Sequence, residues 1–151
     1  MILIRRADAV QTPAVPGVVL RPPAVEDAIP LGKLYFEAYD AGVAAATEQE
    51  ALEDIELTFA GEYGVLAPNL SRLAWEDETL VGALLVVERA PWPDTPDCAF
   101  IIELFTARSH RRRGIARFLL ACCAATTVAL RVDDGNVPAL ELYRDLGFRD
   151  G

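Results

Sequence analysis

Apolar residues recur at helical spacing between Glu26 and Ala60, with Leu31, Leu34, Tyr35 and Ala38 marking one face and Ala51, Leu52, Ile55 and Phe59 a second. Gly42 lies between them and predicts two helices rather than one. The period then shortens. The runs "SRLAW" (71–75) and "TLVGALLVVE" (79–88) are rich in strand formers and flank the acidic turn Glu76-Asp77-Glu78, which predicts a hairpin. "APWPDTPD" (90–97) must be a loop, because its prolines cannot supply ladder hydrogen bonds. "CAFIIELFTA" (98–107) is almost continuously apolar and predicts a central strand buried on both faces. After an arginine-rich segment, Ile115, Phe118, Leu119 and Cys122 share one helical face, and "TVALRV" (127–132) reads as a further strand. Asn136 is a helix N-cap for "VPALELYRDLG" (137–147), with Pro138 in the first turn and Gly147 at the C-terminal end. Ahead of all this, "GVVLRPP" (17–23) is a short strand stopped by two prolines, and residues 1–16 form an irregular or strand-forming arm. The succession of strand, two helices, three strands, helix, strand and helix is mixed α/β.

The chain of 151 residues fits a single domain, 1–151, large enough for a core without disulfides or metal. No apolar run approaches the roughly 18 residues that span a bilayer, and the N-terminus lacks the pattern of a secretory signal. Cys98, Cys122 and Cys123 have neither metal-ligand spacing nor the even count of a disulfide framework. These features predict a cytoplasmic protein without membrane attachment or a metal site. A formal net charge of −9 argues against nucleic acid as a partner. The charge is segregated: residues 34–62 carry eight carboxylates and neither Lys nor Arg, whereas residues 108–117 carry five arginines.

That basic segment, "RSHRRRGIARFLL" (108–120), stands between a buried strand and an amphipathic helix, with Gly114 at the junction. The first turn of a helix has backbone N–H groups without partners, and the helix dipole adds partial positive charge, so the junction suits a phosphate. The pattern is neither a P-loop nor a dinucleotide fingerprint. "ELFTARSHRRRGIARFLL" resembles instead the signature of the GNAT superfamily of N-acetyltransferases, R/Q-x-x-G-x-G/A after the fourth core strand, here Arg111-Arg112-Arg113-Gly114-Ile115-Ala116. "LRPPAVEDA" (20–28) is similar to the family's first strand and helix start, "WEDETLVGALLV" (75–86) to its hairpin, and "NVPALELYRDLGF" (136–148) to its downstream N-x-x-A-x-x-L-Y-x-x-x-G-F element. The resemblance runs in order from about Val18 to Phe148.

The resemblance implies a GNAT fold, a mixed and mainly antiparallel sheet splayed at its centre and flanked by about four helices. It also implies an acyltransferase that moves acetyl from acetyl-coenzyme A to a primary amine. Arg111, Arg112, Arg113, Gly114, Ile115 and Ala116 would hold the cofactor's pyrophosphate, mostly through backbone N–H groups. Phe105 or Thr106 would supply an oxyanion donor, and Asn136 would touch the pantetheine arm or only cap its helix. An acceptor amine must lose a proton to react, since its unperturbed pKa is about 10. Glu103 matches a position where family members place a carboxylate and is the candidate base, with pairing to an arginine as its alternative role. Tyr143 aligns with the family's general acid, its alternative being an ordinary core position. His110 is read as loop filler. In the family the first two helices overlie the acceptor site, so Glu37, Asp40, Glu48, Glu53 and Glu56 would favour a cationic acceptor such as an aminoglycoside, a polyamine or a protein amine. Two other readings compete: a non-catalytic acyl-CoA-binding or regulatory module of the same fold, and an arginine-dependent RNA binder.

One departure concerns the C-terminal end. Family members continue beyond G-F into one or two more strands, whereas here those strands are short or missing. "MILIRR" (1–6) has the β-branched content to fill that place, or else to pair with a neighbouring subunit as a homodimer.

Overall fold

The computed structural model describes residues 1–6 and 12–151; residues 7–11 of the predicted N-terminal arm lie outside the described residues. The strands are β1 (Ile2–Arg5), β2 (Val18–Arg21), β3 (Arg72–Glu76), β4 (Thr79–Val87), β5 (Ala99–Thr106), β6 (Val128–Arg131) and β7 (Arg149–Asp150). The helices are α1 (Ala28–Ala38), α2 (Glu48–Ala60), α3 (Ile115–Ala121) and α4 (Val137–Asp145). Local chemistry accounts for the helix ends. Thr47 caps α2 by accepting the Glu50 N–H at 3.1 Å, two acidic residues occupy the first turn, and Gly61 closes the other end in the left-handed conformation. Asn136 caps α4 in the same way, accepting from the Ala139 N–H at 3.3 Å.

The strands form one sheet in the order β2-β3-β4-β5-β6-β1-β7, in which only β5 and β6 run parallel. β5 is central, as its apolar run predicts. One face carries α3 and α4 over a core that includes Val81, Leu84, Val86, Ile115, Leu119 and Phe148. The other carries α1 and α2 over Leu31, Leu34, Ile55, Leu73, Ala83, Leu85 and Phe105. A register shift between β3 and β4 leaves Val81 as an extra residue, so Val81 and Gly82 both face α3. A Cβ on Gly82 would stand 2.9 Å from Ile115 Cγ2, so glycine allows the first turn of α3 to lie directly on the sheet.

The sheet's far side is closed from both ends of the sequence. β1 lies between β6 and the two-residue β7, antiparallel to each, with Leu3 opposite Leu130 on one side and Asp150 on the other. The N-terminal strand therefore joins this sheet beside β6 within the same chain. Leu3 is fully buried and so is Arg5, a charged residue without a carboxylate partner among the described residues. The Arg5 guanidinium donates to the carbonyls of Leu120, in the last turn of α3, and Cys123, just beyond it, at 3.2 and 2.6 Å, and stacks 5.4 Å from the Phe148 ring centroid. β1 thereby holds the C-terminal end of α3.

Leu3→Ala should cost about 2–5 kcal/mol, the range for truncating a fully buried leucine. Thermal and urea denaturation measure it; a variant as stable as the parent would mean that β1 is not part of the cooperative core.

Candidate active site

The site begins where two strands part. β5 pairs with β6 at Ala99, Phe100 and Ile101, opposite Val128, Ala129 and Leu130, and then diverges from it. From Ile102 onward β5 remains paired only to β4. Ala107 donates its N–H to Val81 O at 2.8 Å, and the Phe105 carbonyl lies beside Gly82, so backbone alternation turns the peptide groups of Leu104 and Thr106 the other way, toward the seam. The register also shifts against β4, where Leu85 opposes Glu103 and Val86 opposes Ile101. Ile102 is the extra residue. This bulge puts two consecutive side chains, Ile102 and Glu103, on the α1–α2 face and so aims a carboxylate at the parting of the strands.

A cavity of about 650 Å³ occupies the seam, running from the loop before α3 to the side chains of Tyr39 and Tyr143. Leu104, Ile115, Ala139 and Leu142 supply apolar wall, and Arg111, Arg112 and Gly114 a basic end. Gly114 precedes α3 with φ +82°, and Arg112 is also left-handed at φ +63°. Only glycine adopts such a φ without strain, which fixes the residue at the junction.

The arginines of this loop are largely committed within the protein. Arg108 donates to Glu37 O at 3.0 Å and to the Asp40 carboxylate at 2.9 Å, and Arg111 donates to Ala38 O. Both satisfy the end of α1, where carbonyls lack intrahelical partners. Arg113 pairs with Glu76 at 3.1 Å and Arg117 with Asp145 at 3.2 Å. Among the described residues, only Arg112 of the five makes no such contact. His110 completes the clasp: its Nε2 meets Glu76 Oε1 at 2.9 Å and its Nδ1 meets Ser109 Oγ at 2.7 Å. The hydrogen bond from His110, reinforced by Arg113, holds the Glu76 carboxyl below its ordinary pKa. His110, read as loop filler, thus fastens the loop to β3.

Where the cavity reaches Tyr39 and Tyr143 a smaller cleft adjoins it, and there Glu103 sits among tyrosines. Tyr39 donates its hydroxyl to Glu103 Oε2 at 2.9 Å, while Tyr35, Tyr39 and Phe105 pack ring against ring at 5.5–6.1 Å. Desolvation pushes the Glu103 pKa up to about 7; the Tyr39 hydrogen bond opposes the shift and the charge of Asp54 adds to it. A carboxyl with that value can take up a proton near neutrality. Asp54 in turn accepts from the Tyr63 hydroxyl. Tyr143, its ring tilted at 60° against Phe148, faces the same seam, and burial followed by the Glu103 charge raises its pKa.

The structure gathers most of the predicted site residues on one cavity. Phe105, Thr106, Arg111, Arg112, Gly114, Ile115, Ala116, Asn136 and Tyr143 line it, with Glu103 in the adjoining cleft. Arg113 stands at the rim, turned to Glu76. Of Phe105 and Thr106, the second presents its N–H to the seam, while the Phe105 ring is buried in the α1–α2 core. Tyr39 and Asp54 carry no sequence expectation, and Glu76 is expected only as part of the hairpin turn; the i, i+4 pair Tyr35 and Tyr39 is the signal that points to the first. Among the described residues no cluster of three or more His, Cys, Asp or Glu side chains could hold a metal, and no helix is long and apolar enough to cross a membrane.

The family model described as Acetyltransferase (GNAT) family matches residues 32–148. Similar solved structures include PH1933 from Pyrococcus horikoshii OT3, at TM-score 0.72 and 18% identity over 89% of this chain and 90% of that one. AAC(6')-Iy in complex with the bisubstrate analogue CoA-S-monomethyl-acetylneamine superposes at TM-score 0.65, with 19% identity over 88% and 91% of the two chains. Diaminobutyrate acetyltransferase EctA from Paenibacillus lautus, in complex with L-2,4-diaminobutyric acid and coenzyme A, gives 0.58, with 20% identity over 85% and 73%. At these identities the likeness is one of fold. No curated protein matches the sequence.

The Glu103 environment has a consequence for stability. Its pKa in the folded protein, about 7, lies above the ordinary 4.5, so between these values the native state binds the proton that the unfolded state has lost. Glu103 therefore lowers stability as pH rises from about 5 to 8, and Glu103→Gln should flatten that limb of the curve. Urea midpoints across this range measure it; identical pH dependence in both proteins would contradict the burial of this carboxyl.

Proposed function

The chain belongs to the acetyltransferase (GNAT) family, and from that premise we propose that it is a single-domain enzyme that acetylates a primary amine of a cationic acceptor directly from acetyl-CoA. The observation that carries this reading is the seam itself: an unpaired stretch of β5 beside a cavity with a basic end, a carboxyl near neutral pKa in the small cleft that adjoins it, and the half-buried Tyr143 bordering both. The residues present fit the cofactor. The left-handed turn at Arg112 and Gly114 presents backbone to the basic end, the apolar wall suits a pantetheine arm, and Leu104 and Thr106 have peptide groups free to pair with it. Acetyl-CoA bound there supplies an activated acetyl group and a good leaving group.

The chain's own residues divide the remaining work. Arg112, Arg113, Gly114, Ile115 and Ala116 offer backbone N–H groups to the pyrophosphate, with the Arg112 side chain as counter-charge; Arg111 shapes the turn while its guanidinium is held by Ala38. Glu103 takes the proton that the acceptor amine must lose, and the Thr106 N–H stabilises negative charge on the carbonyl oxygen. Tyr143 donates a proton to the departing sulfur. Asn136 sets the start of α4 and, through it, Tyr143. The carboxylates of α1, α2 and their connection, among them Glu37, Glu48, Glu53 and Glu56, draw a cationic amine to the opposite side.

At neutral pH, Glu103→Gln and Tyr143→Phe should each lower kcat/KM by about 10²–10⁴-fold, the span for loss of a general base or acid. Both should keep the thermal shift that acetyl-CoA gives the parent. Release of free CoA over a panel of amines reads the rate; full activity in either variant removes that residue's role, and no thermal shift at saturating acetyl-CoA overturns the reading as a whole. In the same panel, KM for polyamines and aminoglycosides should rise with ionic strength. A preference for neutral or anionic amines would rule out the acidic wall as the selector.

A further inference from the structure

We infer that Tyr39 is a positioning residue of the acetyl-transfer site, whose hydroxyl orients the Glu103 carboxylate at the seam while the arginine loop fixes Tyr39 itself. The inference rests on reading Glu103 as the proton acceptor.

Tyr39 is where α1 ends: its backbone is extended, at φ −98° and ψ 161°, and the chain leaves the helix there. The positions around it are held from the loop before α3. Arg108 binds the Glu37 carbonyl and the Asp40 carboxylate, and Arg111 binds the Ala38 carbonyl, so Tyr39 is bracketed on both sides by contacts with one loop. Its ring is wedged between Tyr35, 5.7 Å away at 86°, and Phe105, 6.1 Å away. What remains free is the hydroxyl, and it reaches Glu103 Oε2 at 2.9 Å. That bond holds one carboxylate oxygen on the α1 side and so fixes the direction in which the carboxylate faces the seam. Tyr39 borders both the main cavity and the small cleft at the seam that contains Glu103, so the contact lies where the two join.

Placement of this kind couples the two ends of the site. The loop assigned to the pyrophosphate and the carboxylate assigned to the amine are joined through one short segment, 37–40. The ionisable groups around Glu103 are Tyr35 and Tyr39 from α1 and its end, Asp54 from α2, Tyr63 just beyond α2 and Tyr143 from α4, while Arg131 of β6 borders the same cleft with its guanidinium paired to Asp94. Of these, Tyr39 and Tyr35 favour the ionised carboxylate by hydrogen bonding, and Asp54 disfavours it by charge. Removing the Tyr39 hydroxyl therefore raises the Glu103 pKa.

Tyr39→Phe keeps the ring and removes only the donor. Carboxyl carbon NMR of the full chain, which needs no acceptor, should show the Glu103 titration moved up by about one pH unit, the scale of a lost hydrogen bond to a charged group. With any amine turned over in the panel, the acid limb of kcat/KM should move by the same amount while Kd for acetyl-CoA is unchanged. Arg108→Gln should move the limb in the same direction. If Tyr39→Phe lowers the rate at every pH without moving the limb or the titration, the inference is overturned. If Arg108→Gln moves neither, the loop does not hold Tyr39. Glu103→Gln separates the two readings: it must abolish the acid limb. A limb that persists there removes Glu103 as the proton acceptor, whereas a limb that vanishes there and stays fixed in Tyr39→Phe removes Tyr39 alone.

Discussion

Everything distinctive about this fold follows from the point at which β5 and β6 cease to pair. Three residues of parallel ladder hold the two halves of the sheet together, and beyond Ile101 the halves separate. Backbone groups without partners are costly when buried, so a strand that leaves its neighbour inside a protein must either meet solvent or meet a ligand with matching donors and acceptors. Here the strand does so at the mouth of a cavity. The bulge at Ile102 belongs to the same event, because the twist that takes β5 away from β6 also turns Glu103 to the side where α1 and α2 lie. Site and fold are thus one feature seen at two scales.

The basic cluster takes on a different meaning in this setting. Five arginines in ten residues suggest a surface built to grip anions, yet four of them are engaged with Glu37, Ala38, Asp40, Glu76 and Asp145. Their charge is spent on capping α1 and on fastening the loop to β3 and α4. Positive potential at the cavity then comes chiefly from the backbone around Gly114 and from Arg112. This also explains how a chain of net charge −9 keeps so dense a positive segment: the segment is embedded in its own counter-charges.

The order of elements was legible in the sequence because each one carries local signals. The period change after Ala60, the prolines of 90–97, the cap at Asn136 and the glycine at 114 each mark a boundary without reference to anything distant. Glu103 and Tyr143 were legible through the motifs in which they stand. Tyr39 and Glu76 were not, since their roles depend on contacts 64 and 34 residues away that no local pattern records. The strand identity of residues 2–5 was suggested by their β-branched character, but its position between β6 and β7 is a matter of which edge was open, and that is decided by the whole sheet.

The placement of β1 sets a schedule for the chain. Ile2 pairs with Arg131 and Leu3 with Asp150, so the earliest strand waits for the latest ones before it gains a single ladder bond. Loop closure over such a span is entropically expensive and slow, and contacts of this length lower folding rates. Until β6 has been made, the apolar strand has no ladder partner and Arg5 is not held over the C-terminal end of α3. A chain interrupted anywhere before residue 128 therefore carries this strand without its ladder partner, an apolar segment for a chaperone to shield.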